Sequence, residues 1–495
     1  MLHKTNLFLP AITGVLVSFL TFAPLYSILI DKPDQYSVEI RAPGQDNLPP
    51  EGRKTYADVR IGEFFESFVK DFKTEMTGSW ASFRGSDAKN ISTENIALLD
   101  KFPTDGPPVL WRRKLGEGHA APVIHKGRVY VLDYLEEKSA DALRCFSLLD
   151  GTELWRRSYR LDIKRNHGYS RTVPAVNDDY AVSMGPMGHL MCLDAKSGKL
   201  LWTKDIINEF KAIVPQWYSG QCPFIDGDTV IVAPGGEKAL LAGFDLATGN
   251  ILWQTPNPGG WKMSHSSVVP MQLNEQKMYV YAAVGGIAGI AAEGENVGEL
   301  LWQSGDWGAT VVAPSPVILN DGFIFQSAGY GAGSIVLKIN KNSKGYSAAV
   351  VHRFDPKEAL ATEQQSAIFY NNLLFGILTK DAGSKRMRLV ACEPKNPSEF
   401  VFSGNSRLRF GLGPMIIADN KFFALADDGN LSLLTFDNHE FKQVSQAQVL
   451  PGVDAWGPLA VADGIMLLRD STSMACIDLT HDARWARRQS KDADQ

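Results

Sequence analysis

The chain has 495 residues, 44% of them hydrophobic and 21% charged, with 50 Lys+Arg against 55 Asp+Glu and a formal net charge of −5. That length and apolar content are enough for a large core. The charge balance and the lack of a long basic run leave nucleic-acid binding without an electrostatic footprint.

The N-terminus comes first. Leu7 to Ile30 holds no charged residue, and a run of that length can cross a hydrocarbon core about 30 Å thick. His3 and Lys4 precede it, and Asp31 and Asp34 follow, which predicts a single pass with the remainder outside. Thr21-Phe22-Ala23 is a poor cleavage site with Pro24 directly after it, so residues 1–30 read as an uncleaved anchor rather than a signal peptide. Residues 31–78 form a separate region. Asp31 to Arg53, with Pro33, Pro43, Pro49 and Pro50, reads as a linker. Over Thr55–Met76, the spacing of Val59, Ile61, Phe64, Phe65, Phe68, Val69 and Phe72 predicts an amphipathic helix.

From residue 79 onward one unit recurs. It opens on a Pro-apolar strand, passes a turn and two further strands, and closes on Leu-Trp. Ala121-Pro122-Val123 leads to Leu154-Trp155, Val173-Pro174-Ala175 to Leu201-Trp202, Cys222-Pro223-Phe224 to Leu252-Trp253, and Ser267-Val268-Val269 to Leu301-Trp302. The tryptophans recur every 47 to 51 residues, a length that suits four short strands and hence one propeller blade. Further copies start at Ser315-Pro316, Ser366-Ala367, Gly413-Pro414 and Gly457-Pro458, with Phe354 and Phe402 near the Trp place of the fifth and sixth. The last copy stops short of its final strand, while Val109-Leu110-Trp111 stands upstream with no blade of its own. Borrowing that strand would close the ring and remove two open edges. The expectation is an all-β, eight-bladed β-propeller of four-stranded antiparallel blades over residues 79–480, with a charged tail at 481–495. The Leu-Trp residues are expected to be structural.

Cys145, Cys192, Cys222, Cys392 and Cys476 show no CxxC spacing, so zinc or redox chemistry is not expected; Cys145, Cys192 and Cys476 fall inside apolar strand patterns, where buried structural thiols are expected. Phosphate-cradling, nucleophile-elbow and zincin motifs are absent from the sequence.

The loops between blades carry the candidate chemistry. His119, Arg165, His167, Arg171, Trp217, Tyr218, Gln221, Trp261, Lys262 and His265 all precede innermost strands, so they are expected around one mouth of the central channel. Bases beside aromatic rings suit a small anionic or sugar-like ligand, or a peptide segment. The competing reading is that these side chains brace long loops. A metal site is not expected, since no two histidines stand at close spacing, and catalytic residues are not identified.

Asp194-Ala-Lys-Ser197-Gly198-Lys-Leu-Leu201-Trp202 and Asp245-Leu-Ala-Thr248-Gly249-Asn-Ile-Leu252-Trp253, together with Trp80-Ala81-Ser82-Phe83-Arg84-Gly85, resemble the repeat and entry motif of bacterial pyrroloquinoline-quinone (PQQ)-like propeller proteins. The resemblance covers roughly residues 80–480 and implies one of two roles. One is a scaffold similar to the outer-membrane assembly factor BamB. The other is a quinoprotein alcohol or sugar dehydrogenase holding PQQ with calcium. The vicinal cysteine pair of many such dehydrogenases and a CxxCH haem motif are missing, and so is the lipobox cysteine of BamB-like lipoproteins. The resulting expectation is a periplasmic, inner-membrane-anchored, non-catalytic module that binds an envelope protein, a polysaccharide or a small anionic ligand. PQQ with calcium is the lesser alternative.

Overall fold

A computed structural model describes residues 59–493. The anchor expected at 1–30 and the linker lie outside the described residues. Among the described residues, no helix is long and apolar enough to cross a membrane.

Eight antiparallel sheets follow one another along the chain. Blade 1 contains Val123–His125, Arg128–Leu135, Ala140–Ser147 and Glu153–Arg160; blade 2 contains Ala175–Val176, Tyr180–Met184, His189–Asp194 and Leu200–Asp205. Blade 3 runs from Phe224–Asp226 to Ile251–Gln254, blade 4 from Val269–Leu273 to Leu300–Ser304, and blade 5 from Val317–Ile318 to Gly345–Phe354. Blade 6 runs from Ile368–Tyr370 to Asn396–Ser403, and blade 7 from Met415–Ala418 to Glu440–Gln448. Blade 8 combines Ala460–Ala462, Ile465–Arg469 and Ser473–Asp478 with the N-terminal strand Val109–Lys114. Trp111 pairs with Cys476, so the closure expected from the orphan Leu-Trp strand is present.

The apolar core is divided among the blade interfaces. Separate clusters join blades 1 and 2, 2 and 3, 3 and 4, 4 and 5, 5 and 6, and 6 and 7, and one larger cluster joins 7, 8 and 1. A chain of pairwise contacts that returns to its start is a ring, and each sheet buries both faces only because it has two neighbours.

The repeat signature is the hardware of those contacts. Asp194 Oδ1 accepts from Ser197 N (2.7 Å) and Ser197 Oγ (2.6 Å), and Asp245 Oδ1 accepts likewise from Thr248. These bonds hold the turn that puts Gly198 and Gly249 at φ of +69° and +72°. The glycine must also be bare. A Cβ there would stand 2.6 Å from the indole of Trp155 or Trp202, the tryptophan of the preceding blade. Each indole is then tethered: Trp155 Nε1 donates to Lys196 O at 3.1 Å and Trp202 Nε1 to Leu246 O at 2.9 Å.

Every blade carries a register shift in its outermost strand pair at the same place. The residue beside that bulge is Trp155, Trp202, Trp253, Trp302, His352, Phe402, Ser445 and Trp111 in blades 1 to 8. In blade 5 the position therefore belongs to His352. Phe354 sits two residues further on and stacks against it at 5.5 Å.

Two expectations fail. The described part of Thr55–Met76 is not helical: Phe64–Ser67 is a strand added to the outer edge of blade 1, and Ser79–Trp80 adds one to its inner edge. The free hydrogen-bonding groups of the blade edge outcompete a local helix, and Gly62 at φ +73° breaks the period. Ile61, Val69 and Phe72 pack on blades 1 and 2, while Phe64, Phe65 and Phe68 remain 43–50% exposed. The described part of the tail, 481–493, is likewise part of the body. Arg484–Ala493 forms a helix whose Trp485 is buried and donates from Nε1 to Asp463 O at 2.8 Å. All five cysteines are buried free thiols.

Candidate functional site

The innermost strands of blades 2 to 6 are laced around the axis. Val173 N donates to Cys222 Sγ (3.2 Å), Cys222 N to Ser267 Oγ (2.9 Å), Ser267 N to Ser315 Oγ (2.9 Å) and Ser315 N to Ser366 Oγ (2.8 Å). The residue that opens each repeat thus holds the next blade at a fixed distance from the channel.

One end of the channel is crossed by the segment after Trp80. Ala81 O accepts from Val176 N in blade 2, and Ile91 bridges to Ile417 in blade 7. Between them, buried Arg84 reaches the carbonyls of Pro316 (3.5 Å) and Ala367 (3.4 Å). Phe83 lines the space above, so the Trp80–Gly85 motif contributes a floor and the channel is blind.

Above it lies a cavity of about 230 Å³. Its walls come from the linkers entering the blades: His119 for blade 1, His167 and Arg171 for blade 2, Trp217 and Gly220 for blade 3, and His265 for blade 4. Val311 and Ala313 belong to the linker into blade 5, Glu363, Gln364 and Gln365 to blade 6, and Trp456 and Pro458 to blade 8. Tyr330 and Lys380 reach in from turns within blades 5 and 6.

Five of the ten residues expected at the mouth, His119, His167, Arg171, Trp217 and His265, line this cavity. The other five lie outside its lining and act as braces. Arg165 Nε pairs with Glu117 at 2.5 Å, tying two linkers together. Tyr218 OH donates to Lys164 O at 2.5 Å. Gln221 is fully buried and bonds both backbone groups of Ala233. Trp261 packs on Gly285 and Gly286, and Lys262 pairs through its backbone with Val284.

Phe83, Tyr330, Glu363, Gln365, Lys380 and Trp456 were not expected. Gln364 stands two residues before Ser366, the offset of His119 from Ala121, so that offset was the available signal there, and Glu363, Gln365 and Trp456 lie one residue away from it. Tyr330 and Lys380 lie on turns inside a blade, where the offset does not reach.

Arg171 sets the electrostatics. Nη2 donates to Asn166 O (3.0 Å) and His167 O (3.2 Å), while buried Nε has no partner. Among the described residues it makes no ion pair. Burial lowers its pKa to about 10, against a small opposing influence of Tyr218 and Tyr330. Lys380, by contrast, faces Glu363 at 3.7 Å. Burial, reinforced by Arg171, holds the imidazoles of His119 and His265 near pKa 3, so both are neutral at ordinary pH. Their Nδ1 atoms are buried without partners. The rings interlock: Trp217 stacks on Tyr330 at 5.6 Å and meets His167 at 6.1 Å and His265 at 6.3 Å, and His119 lies 5.0 Å from Trp456. His167, Trp217, Tyr218 and Tyr330 all have φ between 50° and 73°. Bulky residues rarely adopt that conformation, and such strain concentrates at ligand sites.

The donor set also tests a calcium-bound quinone. Calcium takes six to eight oxygen ligands. Besides the amide oxygens of Gln364 and Gln365, the cavity offers one carboxylate, Glu363, whose Oε2 already accepts from Thr379 Oγ1 (3.0 Å) and Lys380 N (3.3 Å), well short of that number. These residues do not fit that group.

Fold and repeat define the class: an eight-bladed propeller built from PQQ-like repeats. The family model for the outer membrane protein assembly factor BamB matches residues 139–364. The quinohemoprotein alcohol dehydrogenase ADH IIB of Pseudomonas putida is 25% identical over 189 residues, 36% of this chain and 25% of that protein. The chain thus spans about a quarter of the length of this curated relative. Among solved structures, the quinohemoprotein alcohol dehydrogenase of Comamonas testosteroni aligns with a TM-score of 0.54 at 12% identity, covering 81% of this chain and 80% of that one. A europium-containing methanol dehydrogenase aligns with a TM-score of 0.53 at 12% identity, covering 81% and 89%. At such identities these structures share the fold.

Proposed function

We propose that this protein is a non-catalytic binding propeller, held at the outer face of a bacterial inner membrane by Leu7–Ile30, whose channel mouth captures an anionic, sugar-like group of an envelope polymer. The observation that carries the reading is Arg171: a half-buried guanidinium with, among the described residues, no acid partner, lining a blind cavity beside Trp217, Tyr330 and two neutral histidines. An unpaired charge out of water is costly. An incoming carboxylate supplies the missing partner through charge-assisted hydrogen bonds. The flat faces of Trp217 and Trp456 suit the apolar side of a sugar ring, and the closed floor favours capture over passage.

The test is a titration of the purified protein with glucuronate oligomers and their neutral glucose counterparts, followed by tryptophan fluorescence. The acidic series binds and the neutral series does not, and Arg171→Gln weakens binding by at least about tenfold, or about 1.4 kcal/mol. Thermal stability stays unchanged or rises, because a half-buried guanidinium whose Nε lacks a partner has been removed. Equal binding of both series, or no effect of Arg171→Gln, would sink the proposal. Alcohol-dependent dye reduction after adding PQQ and Ca²⁺ would overturn its non-catalytic part.

A further inference from the structure

The outer edge of a blade is a row of unpaired backbone groups, and such an edge is a template for another strand. In blade 1 the chain supplies that strand itself. Phe64–Ser67 pairs with Ser158–Trp155, and Phe68 N donates to Leu154 O at 2.9 Å. Phe65 lies against Gly198 beside the indole of Trp155, with Arg157 4.5 Å over its ring. Under this added strand Leu154 is 2% exposed.

The equivalent leucines show what happens elsewhere. Leu301 of blade 4 packs into the cluster shared with blade 5. Leu201 of blade 2 is 39% exposed and Leu252 of blade 3 is 54% exposed. Blade 2 repeats the rest of the blade 1 arrangement: Trp202 for Trp155, Gly249 for Gly198, and Lys204 for Arg157. Lys204 makes a loose ion pair, 3.9 Å from Glu209, and lies 5.8 Å over the ring of Phe244.

We infer that the outer edge of blade 2, Leu200–Asp205, is a docking edge for an extended segment of a partner protein that bears an aromatic residue among acidic ones. Strand Phe64–Ser67 on blade 1 is the internal template for this contact. Main-chain hydrogen bonds to the edge supply affinity. The aromatic ring covers Leu201 and the Trp202–Gly249 contact beneath Lys204, and the acidic flanks complement Lys199 and Lys204.

The probe is a fluorescein-labelled peptide with the sequence of Gly62–Val69, Gly-Glu-Phe-Phe-Glu-Ser-Phe-Val, titrated by anisotropy into the full-length protein in detergent micelles. Saturable binding is expected. It weakens at least about tenfold with Leu201→Asp, and also with a peptide whose Phe65 equivalent is Ala. Because Leu201 is exposed, the variant keeps the wild-type melting profile; should it not, Lys204→Glu reads out the same edge. No saturable binding overturns the inference, as does binding indifferent to both Leu201→Asp and Lys204→Glu, the result expected if the peptide merely displaces the strand on blade 1. Self-association of the protein that Leu201→Asp abolishes would assign the edge to a second copy and overturn it as well.

Discussion

Blades 1 to 4 and blades 5 to 7 solve one problem with different side chains. The outermost strand pair of each carries the same bulge, with one residue beside it at the same register position. In the first group that residue is always Trp, and in blades 1 and 2 a carbonyl of the following blade tethers it. In the second group it is His352, Phe402 or Ser445. Blades 6 and 7 compensate with packing: Phe375, Phe422, Phe436 and Phe441 lie 4.7 to 6.4 Å apart, centroid to centroid, and Phe402 meets Phe441 at 5.3 Å. The propeller thus requires the bulge and an apolar interface. The Leu-Trp motif is one way to fill that interface, and the ring tolerates others.

The difference is measurable. Trp202→Ala should cost about 3–5 kcal/mol by denaturant unfolding, from lost indole burial and from a Leu246 carbonyl left with only the weak Cys192 Sγ donor at 3.6 Å. Phe402→Ala, at a half-buried site, should cost no more than about half of that. Equal costs would mean that the two halves are anchored alike.

A smaller contrast concerns glycine. Gly249→Ala combines a positive φ with a Cβ 2.6 Å from the Trp202 ring, and about 2–4 kcal/mol is expected. Gly345, at the hairpin tip of blade 5, has φ +114° and open space around it, so Gly345→Ala should cost about 1–2 kcal/mol from backbone strain alone. A Gly345 effect as large as that of Gly249 would argue against the tryptophan contact as the reason for the signature glycine.

Acid supplies the third and smallest contrast. His119 and His265 enter the channel from the linkers into blades 1 and 4, while blade 6 contributes Gln364 and Gln365. The folded imidazoles titrate near 3, well below the unfolded value of 6.5. Their contribution is therefore complete above about pH 6.5 and fades as pH falls toward 3. At pH 5 the loss is about 1–2 kcal/mol per ring after allowing for solvent at the mouth. His265→Gln should flatten the stability profile between pH 6.5 and 4, while Gln365→Ala, which adds no titrating group, should leave that slope intact. An unaltered slope in His265→Gln would place the acid sensitivity elsewhere.

The amino-acid sequence by itself determined the repeat, the blade count, the closing strand and the buried thiols. Each follows from local pattern: apolar alternation, turn chemistry at Asp194–Gly198 and Asp245–Gly249, and a Leu-Trp strand without a blade. It also placed five of the cavity residues: His119, Arg171 and His265 share one offset in the repeat, which becomes one position in a ring, and His167 and Trp217 lie in the same loops. What only the tertiary structure decided depends on which surfaces meet. Phe64–Ser67 became a strand because a blade edge offered hydrogen bonds that its helical spacing could not foresee. Trp485 left the tail for the core because a surface was there to receive it. Tyr330, Lys380 and Phe83 joined the site because ring closure carried two intra-blade turns and an N-terminal crossing to one axis, a convergence over hundreds of residues that leaves no periodic trace in the chain.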